Sequence, residues 1–217
     1  MKKVIAILLT VVAVSFIAVN SLAKNEAYNG TLIVYGYGVI STDPNLAIIR
    51  LSVVTQDISC ENAVRMNAEI TSKVIESVKD LGNVTTEYYS VHPIYKNNTI
   101  YAYRVVNSLK IECSPKVVGK VVDKAVLAGA NRIDSISFTL SDELKKELYL
   151  KALQLAVEDA EKKTKVVAEF LGLKDVKPSM IEVKYSTPVP IVYKAETPII
   201  PREVEVSASV KITYSFT

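Results

Sequence analysis

The residue types that catalysis requires are few in this chain and poorly spaced for it. His92 is the only histidine in 217 residues, so a metal site built from several histidines has no ligands. Ser-His-Asp catalysis would need His92 as its base, yet the chain has no Gly-x-Ser-x-Gly turn to present such a serine. Because His92 precedes Pro93 in a segment with strand character, we interpret it as a structural residue.

Cys60 and Cys113 are the other candidates for covalent or redox chemistry. They are not arranged as Cys-x-x-Cys, which argues against a thioredoxin-like reductase. In an oxidising compartment the two could form a disulfide. However, the strand before Cys60 and the strand ending at Cys113 are predicted to run in opposite directions, which would leave the thiols at opposite ends of a sheet, too far apart to bridge. The sequence leaves the paired and the free state open.

Two further patterns imitate functional motifs. The Gly-Tyr-Gly at residues 36–38 resembles the start of a dinucleotide-binding fingerprint, but the third glycine is missing and no helix follows. We attribute the two glycines to close contact between that strand and whatever packs on it. Glu158, Asp159 and Glu161 lie among lysines, which is typical of a solvated helix face. The sequence therefore predicts no catalytic residue, no metal site and no cofactor.

The first 23 residues have the features of a secretory signal peptide. Lys2 and Lys3 give a basic start, sixteen residues without a charge follow at 4–19, and residues 21–23 offer a small-x-small cleavage site. The run is short for a spanning helix, which needs about 20 residues; an uncleaved anchor is the alternative. We therefore predict an extracytoplasmic protein (periplasmic, secreted or on the cell surface) that contacts a membrane only if this segment is retained.

The remainder of the chain is almost neutral. Two of the 26 basic residues lie within 1–23, so 24 basic residues face 23 acidic ones, for a net charge of +1. Without a block of like charge, nothing predicts binding to nucleic acid. Three Asn-x-Ser/Thr sequons are possible glycosylation sites if the host glycosylates exported proteins. They begin at Asn29, Asn83 and Asn97.

Hydrophobic periodicity predicts three helices separated by strands. The helices cover residues 60–81, 115–128 and 142–171, with Ser59, Ser114 and Ser141 at their starts and Gly82, Gly129 and Gly172 as their stops. Residues 46–140 read strand–helix–strand–strand–helix–strand, a ferredoxin-like order. A strand at 31–40 is expected to form a hairpin with 46–57, and the long third helix and later strands extend this core.

We predict an α+β fold in which a mostly antiparallel sheet carries three helices on one face. The strongest alternation of apolar and polar residues lies at 204–216, which predicts a half-buried strand. Residues 24–217 form one domain, and within it the Pro-rich stretch 187–202 is an extended connection that cannot be a central strand.

Two surfaces are candidates for self-association. The third helix carries Ala152, Ala156 and Ala160 in the middle of its apolar stripe. Their small side chains permit close approach by another backbone, either a strand of the same chain or a neighbouring subunit. Five tyrosines, among them Tyr88 and Tyr89, cluster around the turn at 97–99. Each one singly is expected in the core; those that face solvent would form an aromatic patch suited to a protein interface.

Several motifs, in their order and spacing, resemble the SIMPL-domain family, the YggE-like and periplasmic immunogenic proteins. They are Val34-Tyr-Gly-Tyr-Gly-Val39 with Asp43-Pro44, His92-Pro93-Ile-Tyr95, Tyr103 with Asn107-Ser-Leu109, Val118-Gly119-Lys-Val-Val-Asp123, Gly129-Ala130-Asn131, Ile136-Ser-Phe138-Thr-Leu-Ser141, residues 152–172 and the strand 204–214. Two turns depart from the pattern: the family usually reads Pro-Asp at 43–44 and often has a glycine near 201–202.

The resemblance implies an exported protein without established enzymatic activity and without agreed catalytic residues. It also implies an association with envelope stress, oxidative stress in particular, and one member resembles a ring or channel-like assembly. We therefore predict a non-enzymatic envelope protein that acts as a homo-oligomer. The alternatives are a monomeric extracytoplasmic module that binds a peptide, lipid or small molecule in a cleft, and an enzyme of unrecognised type with a buried, pKa-shifted group beside a cleft.

Overall fold

The computed structural model describes residues 29–185, 191–193 and 202–217. The predicted signal peptide and most of the Pro-rich connection lie outside the described residues. The strands are β1 (Gly30–Thr42), β2 (Leu46–Asp57), β3 (Gly82–Lys96), β4 (Thr99–Cys113), β5 (Arg132–Thr139), β6 (Lys177–Tyr185), β7 (Ile191–Tyr193) and β8 (Val204–Phe216). The helices of the described part are α1 (Cys60–Val78), α2 (Val118–Leu127, after a 3-10 turn at Pro115–Val117) and α3 (Asp142–Leu171). The predicted α+β class with antiparallel pairing is confirmed.

The strands form two antiparallel sheets where a single layer was predicted. One has the order β3-β4-β2-β5-β7 and the other the order β1-β8-β6. β1 pairs with β8 along its whole length, from Gly30 opposite Phe216 to Thr42 opposite Val204. The predicted hairpin between β1 and β2 is therefore wrong, because residues 43–45 carry the chain from one sheet to the other.

The five-stranded sheet has the predicted ferredoxin-like order. Helix α1 connects β2 to β3, which lie on either side of β4, and α2 connects β4 to β5, which lie on either side of β2. These are two split strand–helix–strand units. Both helices cover one face, and the core between them and the sheet is apolar. Its largest fully buried side chains include Ile49, Leu51, Leu109, Ile111 and Phe138.

Two asparagines satisfy backbone groups of β2. Asn131 lies just before β5, where its side chain accepts from the Val54 N–H (2.9 Å) and donates to the Val54 carbonyl oxygen (2.7 Å). Asn67 in α1 is fully buried and donates to the carbonyl oxygen of Val53 (2.9 Å). The Asn131 amide thus supplies to Val54 the two bonds that β5, whose pairing with β2 stops at Ser52, does not supply.

Most of the predicted helix ends are confirmed. Ser59 and Ser141 accept hydrogen bonds from the N–H groups of Asn62 and Leu144, and α3 ends at Gly172 in the left-handed conformation (φ 67°). Gly82, by contrast, is not a helix stop. Helix α1 ends at Val78, and Gly82 opens β3 beside the backbone of β4.

Helix α3 covers the three-stranded sheet. It lies on β1 and β8, and β8 turns every second residue toward it, as the alternation predicted. The buried members of that row are Val204, Val206, Ala208, Val210, Ile212 and Tyr214. A second cluster around Leu140 and Leu148 joins the start of α3 to the ends of β5 and β8. In the part of the chain that the structure describes, no helix is both long and apolar enough to cross a membrane.

Candidate functional site

The alanine stripe of α3 meets the two glycines of β1. A Cβ added at Gly36 would overlap the carbonyl oxygen of Ala156, and one added at Gly38 would overlap that of Ala152. Ala152, Ala156 and Ala160 have no exposed surface. The stripe was predicted to contact either a strand of the same chain or a neighbouring subunit. The structure shows the strand of the same chain, and this contact leaves the three alanines no surface for a second copy. The prediction that the glycines mark a close contact is confirmed.

Polar side chains of α3 occupy the outer edge of β1. The Tyr37 N–H donates to Asp159 Oδ2 (2.9 Å), and Lys163 Nζ donates to the Tyr35 carbonyl oxygen (3.0 Å). Lys163 also pairs with Asp159 at 2.6 Å and lies 5.2 Å from the centre of the Tyr37 ring. The hydrogen bond from Lys163, followed by that from the Tyr37 amide, lowers the pKa of Asp159. Asp159 thus occupies an outward N–H group of an edge strand. Natural sheets commonly protect their edge strands from pairing with another chain.

The tyrosine cluster lies on the β3–β4 hairpin. Its turn residues Asn97 and Asn98 have φ values of 48° and 63°, which is the backbone of a two-residue type I′ turn. Tyr88 and Tyr89 are 56% and 50% exposed, and Tyr95 and Tyr101 are exposed to a similar degree. The expectation of core placement is therefore wrong for these four tyrosines.

The position of β3 explains this exposure. β3 is an edge strand of the five-stranded sheet, a position in which a proline such as Pro93 is tolerated. The last pair between β2 and β4 is Asp57 opposite Tyr103, so among the described residues no third strand lies beside the hairpin beyond that pair. Tyr88 lies opposite Ser108 and Tyr89 opposite Asn107, which places the two rings on opposite faces of the sheet. The edge thus presents a tyrosine on each face.

The candidate reactive residues do not come together. His92 is exposed on β3, and Cys113 pairs in register with Ala47 at the start of β2, the end opposite to Cys60. Both cysteines are free, and burial raises the pKa of the Cys113 thiol, which disfavours the reactive thiolate. Within the described ranges, no group of three or more His, Cys, Asp or Glu side chains is placed to hold a metal ion.

The remaining candidate sites are exposed or shallow. The sequon residues Asn29, Asn83 and Asn97 are all exposed. A cavity of about 500 Å³ lies between two turns and is lined by Asp43, Pro44, Asn45, Ser114, Pro115 and Lys116. Another, beside α3, measures about 180 Å³, which is smaller than the 300–1,000 Å³ typical of ligand pockets. The cavity between the turns is within that range, so it and the open β3 edge are the two surfaces of the described residues that could bind a partner.

Comparison with known proteins gives a family and two named relatives. The model of the SIMPL family, described as "Protein of unknown function (DUF541)", matches residues 32–214. The relatives are proteins called "26 kDa periplasmic immunogenic protein", one from Brucella melitensis biotype 1 and one from Brucella abortus. Each is 30% identical over 154 residues, covering 64% of this chain and 61% of the relative. The matched region is thus less than two thirds of either relative's length.

Proposed function

The chain belongs to the SIMPL family, and from that premise we propose that it is an extracytoplasmic, non-enzymatic protein that works as a homo-oligomer. The names of the two relatives support the compartment, since both are called periplasmic, and the signal-peptide features of residues 1–23 agree with it. The resemblance also implies a link to envelope stress, and we propose this as the role of the assembled protein.

The observation that carries the proposal is the open edge of β3. Edge strands present unpaired N–H and C=O groups, and natural proteins usually cover or charge them. β1 has its edge occupied by Asp159 and Lys163 of α3, whereas β3 presents Tyr88 and Tyr89 to solvent. Tyrosine is enriched at protein interfaces because it combines a large apolar ring with a polar tip.

The proposed contact pairs β3 of one copy with β3 of another. A partner strand paired with this edge would contact a tyrosine on each face of the sheet, because Tyr88 and Tyr89 point to opposite faces. Such an isologous pairing joins two five-stranded sheets into one. The alanine stripe of α3 takes no part in it, since its surface is already used by β1.

Light scattering after size exclusion tests the proposal on residues 24–217. We expect a mass above that of a single chain at micromolar concentration. The double variant Y88S/Y89S should dissociate more readily: at about 1 kcal/mol for each half-exposed ring, the four rings lost from the two copies weaken association by on the order of 1,000-fold.

The matched control is I181S/V183S. Ile181 and Val183 are about half exposed on β6. β6 is the edge strand of the three-stranded sheet on the side opposite to β1. The control should leave the mass unchanged. A strictly monomeric wild-type protein would contradict the proposal and favour a monomeric binding module; dissociation by the control alone would place the interface on β6.

A further inference from the structure

The C-terminal end of α3 carries a group of apolar side chains that the described residues leave largely exposed. Val166 and Phe170 are one helical turn apart, and Leu171 follows; they are 67%, 89% and 61% exposed. We call these three residues the helix-end patch. Single exposed apolar residues are ordinary, but residues spaced by four lie side by side on a helix and form a continuous surface.

Lysines surround the helix-end patch. Between Glu161 and Lys177 the chain has five lysines and three acidic residues, and all five lysines are exposed. The lysines are Lys162, Lys163, Lys165, Lys174 and Lys177. Phe, Leu and Val next to lysines on a helix end is the composition of segments that lie in the interface of a bilayer, with apolar groups among the acyl chains and ammonium groups at the headgroups.

The chain enters the domain at this same end of the sheet. Gly30, the first residue of β1, pairs with Phe216. The next residue, Thr217, exchanges two backbone hydrogen bonds with Lys174 (3.0 and 2.9 Å), two residues after the end of α3. The start of β1, the end of β8 and the helix-end patch therefore share one end of the three-stranded sheet.

The residues that precede β1 identify what would meet the patch. The uncharged run at 4–19 has the composition of a segment that partitions into lipid. Asn29 is ten residues after Val19, and ten residues span at most about 35 Å. Whenever that run is in a bilayer, the chain holds the start of β1, which is at the same end of the sheet as the patch, within this distance of the lipid surface.

We propose that the helix-end patch rests on the surface of a lipid bilayer, so that the long axis of α3 points away from the membrane. The patch adds a second contact to that of the N-terminal run, and two weak contacts on one molecule reinforce each other. The inference concerns the chain that retains residues 1–23, the alternative to cleavage given above, and does not depend on the proposed oligomer.

Tryptophan fluorescence tests the proposal cleanly because the chain has no tryptophan of its own. The full-length variant F170W is reconstituted into vesicles of phosphatidylcholine with a minor share of phosphatidylglycerol, with and without bromine on the phosphatidylcholine acyl chains. The matched control is L127W, since Leu127 is 87% exposed at the end of α2, over the other sheet. Neither substitution removes a buried contact, so both variants should fold.

We expect the emission of F170W to shift to the blue in vesicles and brominated lipid to quench it at least twofold, with L127W unshifted and unquenched. An F170W emission that is neither shifted nor quenched would overturn the proposal. A blue shift without quenching would also overturn it, because the ring would then be covered by protein, as in a contact with a second copy. Equal quenching of both tryptophans would show that the domain has no preferred orientation on the lipid and would equally contradict it.

Discussion

Replacing Gly38 by alanine should lower the stability of the protein through a clash with the backbone of α3. The added methyl group would lie 2.8 Å from the Ala156 nitrogen and 2.9 Å from the Leu155 Cβ, besides overlapping the Ala152 carbonyl. Carbon contacts settle at about 3.5–4.0 Å, so α3 would have to move more than half an ångström away from β1. A backbone cannot yield as the end of a flexible side chain can.

The expected cost follows from overpacking. Inserting a methylene into a tight core costs typically 1–3 kcal/mol, and the upper end applies because the obstacle is a helix. For a domain of this size about 3 kcal/mol corresponds to a fall in Tm of roughly 6–12 °C. Both quantities are measured by urea and thermal unfolding followed by circular dichroism.

Gly119→Ala is the matched control with the opposite sign. Gly119 lies inside α2, where an added Cβ meets nothing within 4 Å, and alanine is favoured over glycine in a helix by about 0.5–1 kcal/mol. The control should therefore be slightly more stable than the wild type. If Gly38→Ala unfolds at or above the wild-type temperature, α3 does not lie against β1 and the account of the three-stranded layer is wrong.

Two further predictions concern the five-stranded sheet. Asn131→Ala should lower the free energy of unfolding by about 1–2 kcal/mol, since Val54 loses two hydrogen bonds; an unchanged urea midpoint would contradict this. Glu87→Gln should cost up to about 1 kcal/mol at neutral pH, because the exposed pair with Arg50 (2.7 Å) is lost. The hydrogen bond from Arg50 lowers the pKa of Glu87, so its contribution is present above the ordinary glutamate range and disappears as pH falls through the lowered pKa. The difference in the free energy of unfolding between wild type and Glu87→Gln should shrink in acid, and a difference that grows in acid would refute the assignment. The control is Glu69→Gln, whose pair is longer at 3.6 Å and which should show little effect at any pH.

Local patterns predicted the elements better than their partners. The alternation in β8 and the glycines of β1 were read correctly, because each reports which side of a single element is covered. The partner of β1 was predicted wrongly, because two strands joined by a short turn usually pair with each other. Nothing local shows that β8, at the far end of the chain, matches β1 over thirteen residues.

The prediction of which side chains are buried was wrong where a tertiary contact outweighs the polarity of the residue. Polarity alone predicts that Met66 of α1 is buried and Asn67 exposed, but Met66 is 39% exposed and Asn67 is buried. Asn67 is accommodated there because its amide donates to Val53. The spacing of Tyr101 from buried Val105 predicts a shared strand face, yet Tyr101 lies at a bulge in the β3–β4 pairing, beyond the end of β2, and is 56% exposed. The exposed tyrosine edge could be found only once strand lengths and sheet order were known.

The most direct test of assembly through β3 is amide hydrogen exchange of residues 24–217 at low and high protein concentration. Peptides covering Gly82–Lys96 should exchange more slowly at high concentration, because a second β3 would bond their outward amides. Peptides covering Lys177–Tyr185, the edge strand β6, should not change. Exchange in Gly82–Lys96 that is independent of concentration up to the highest soluble level would contradict the proposed assembly.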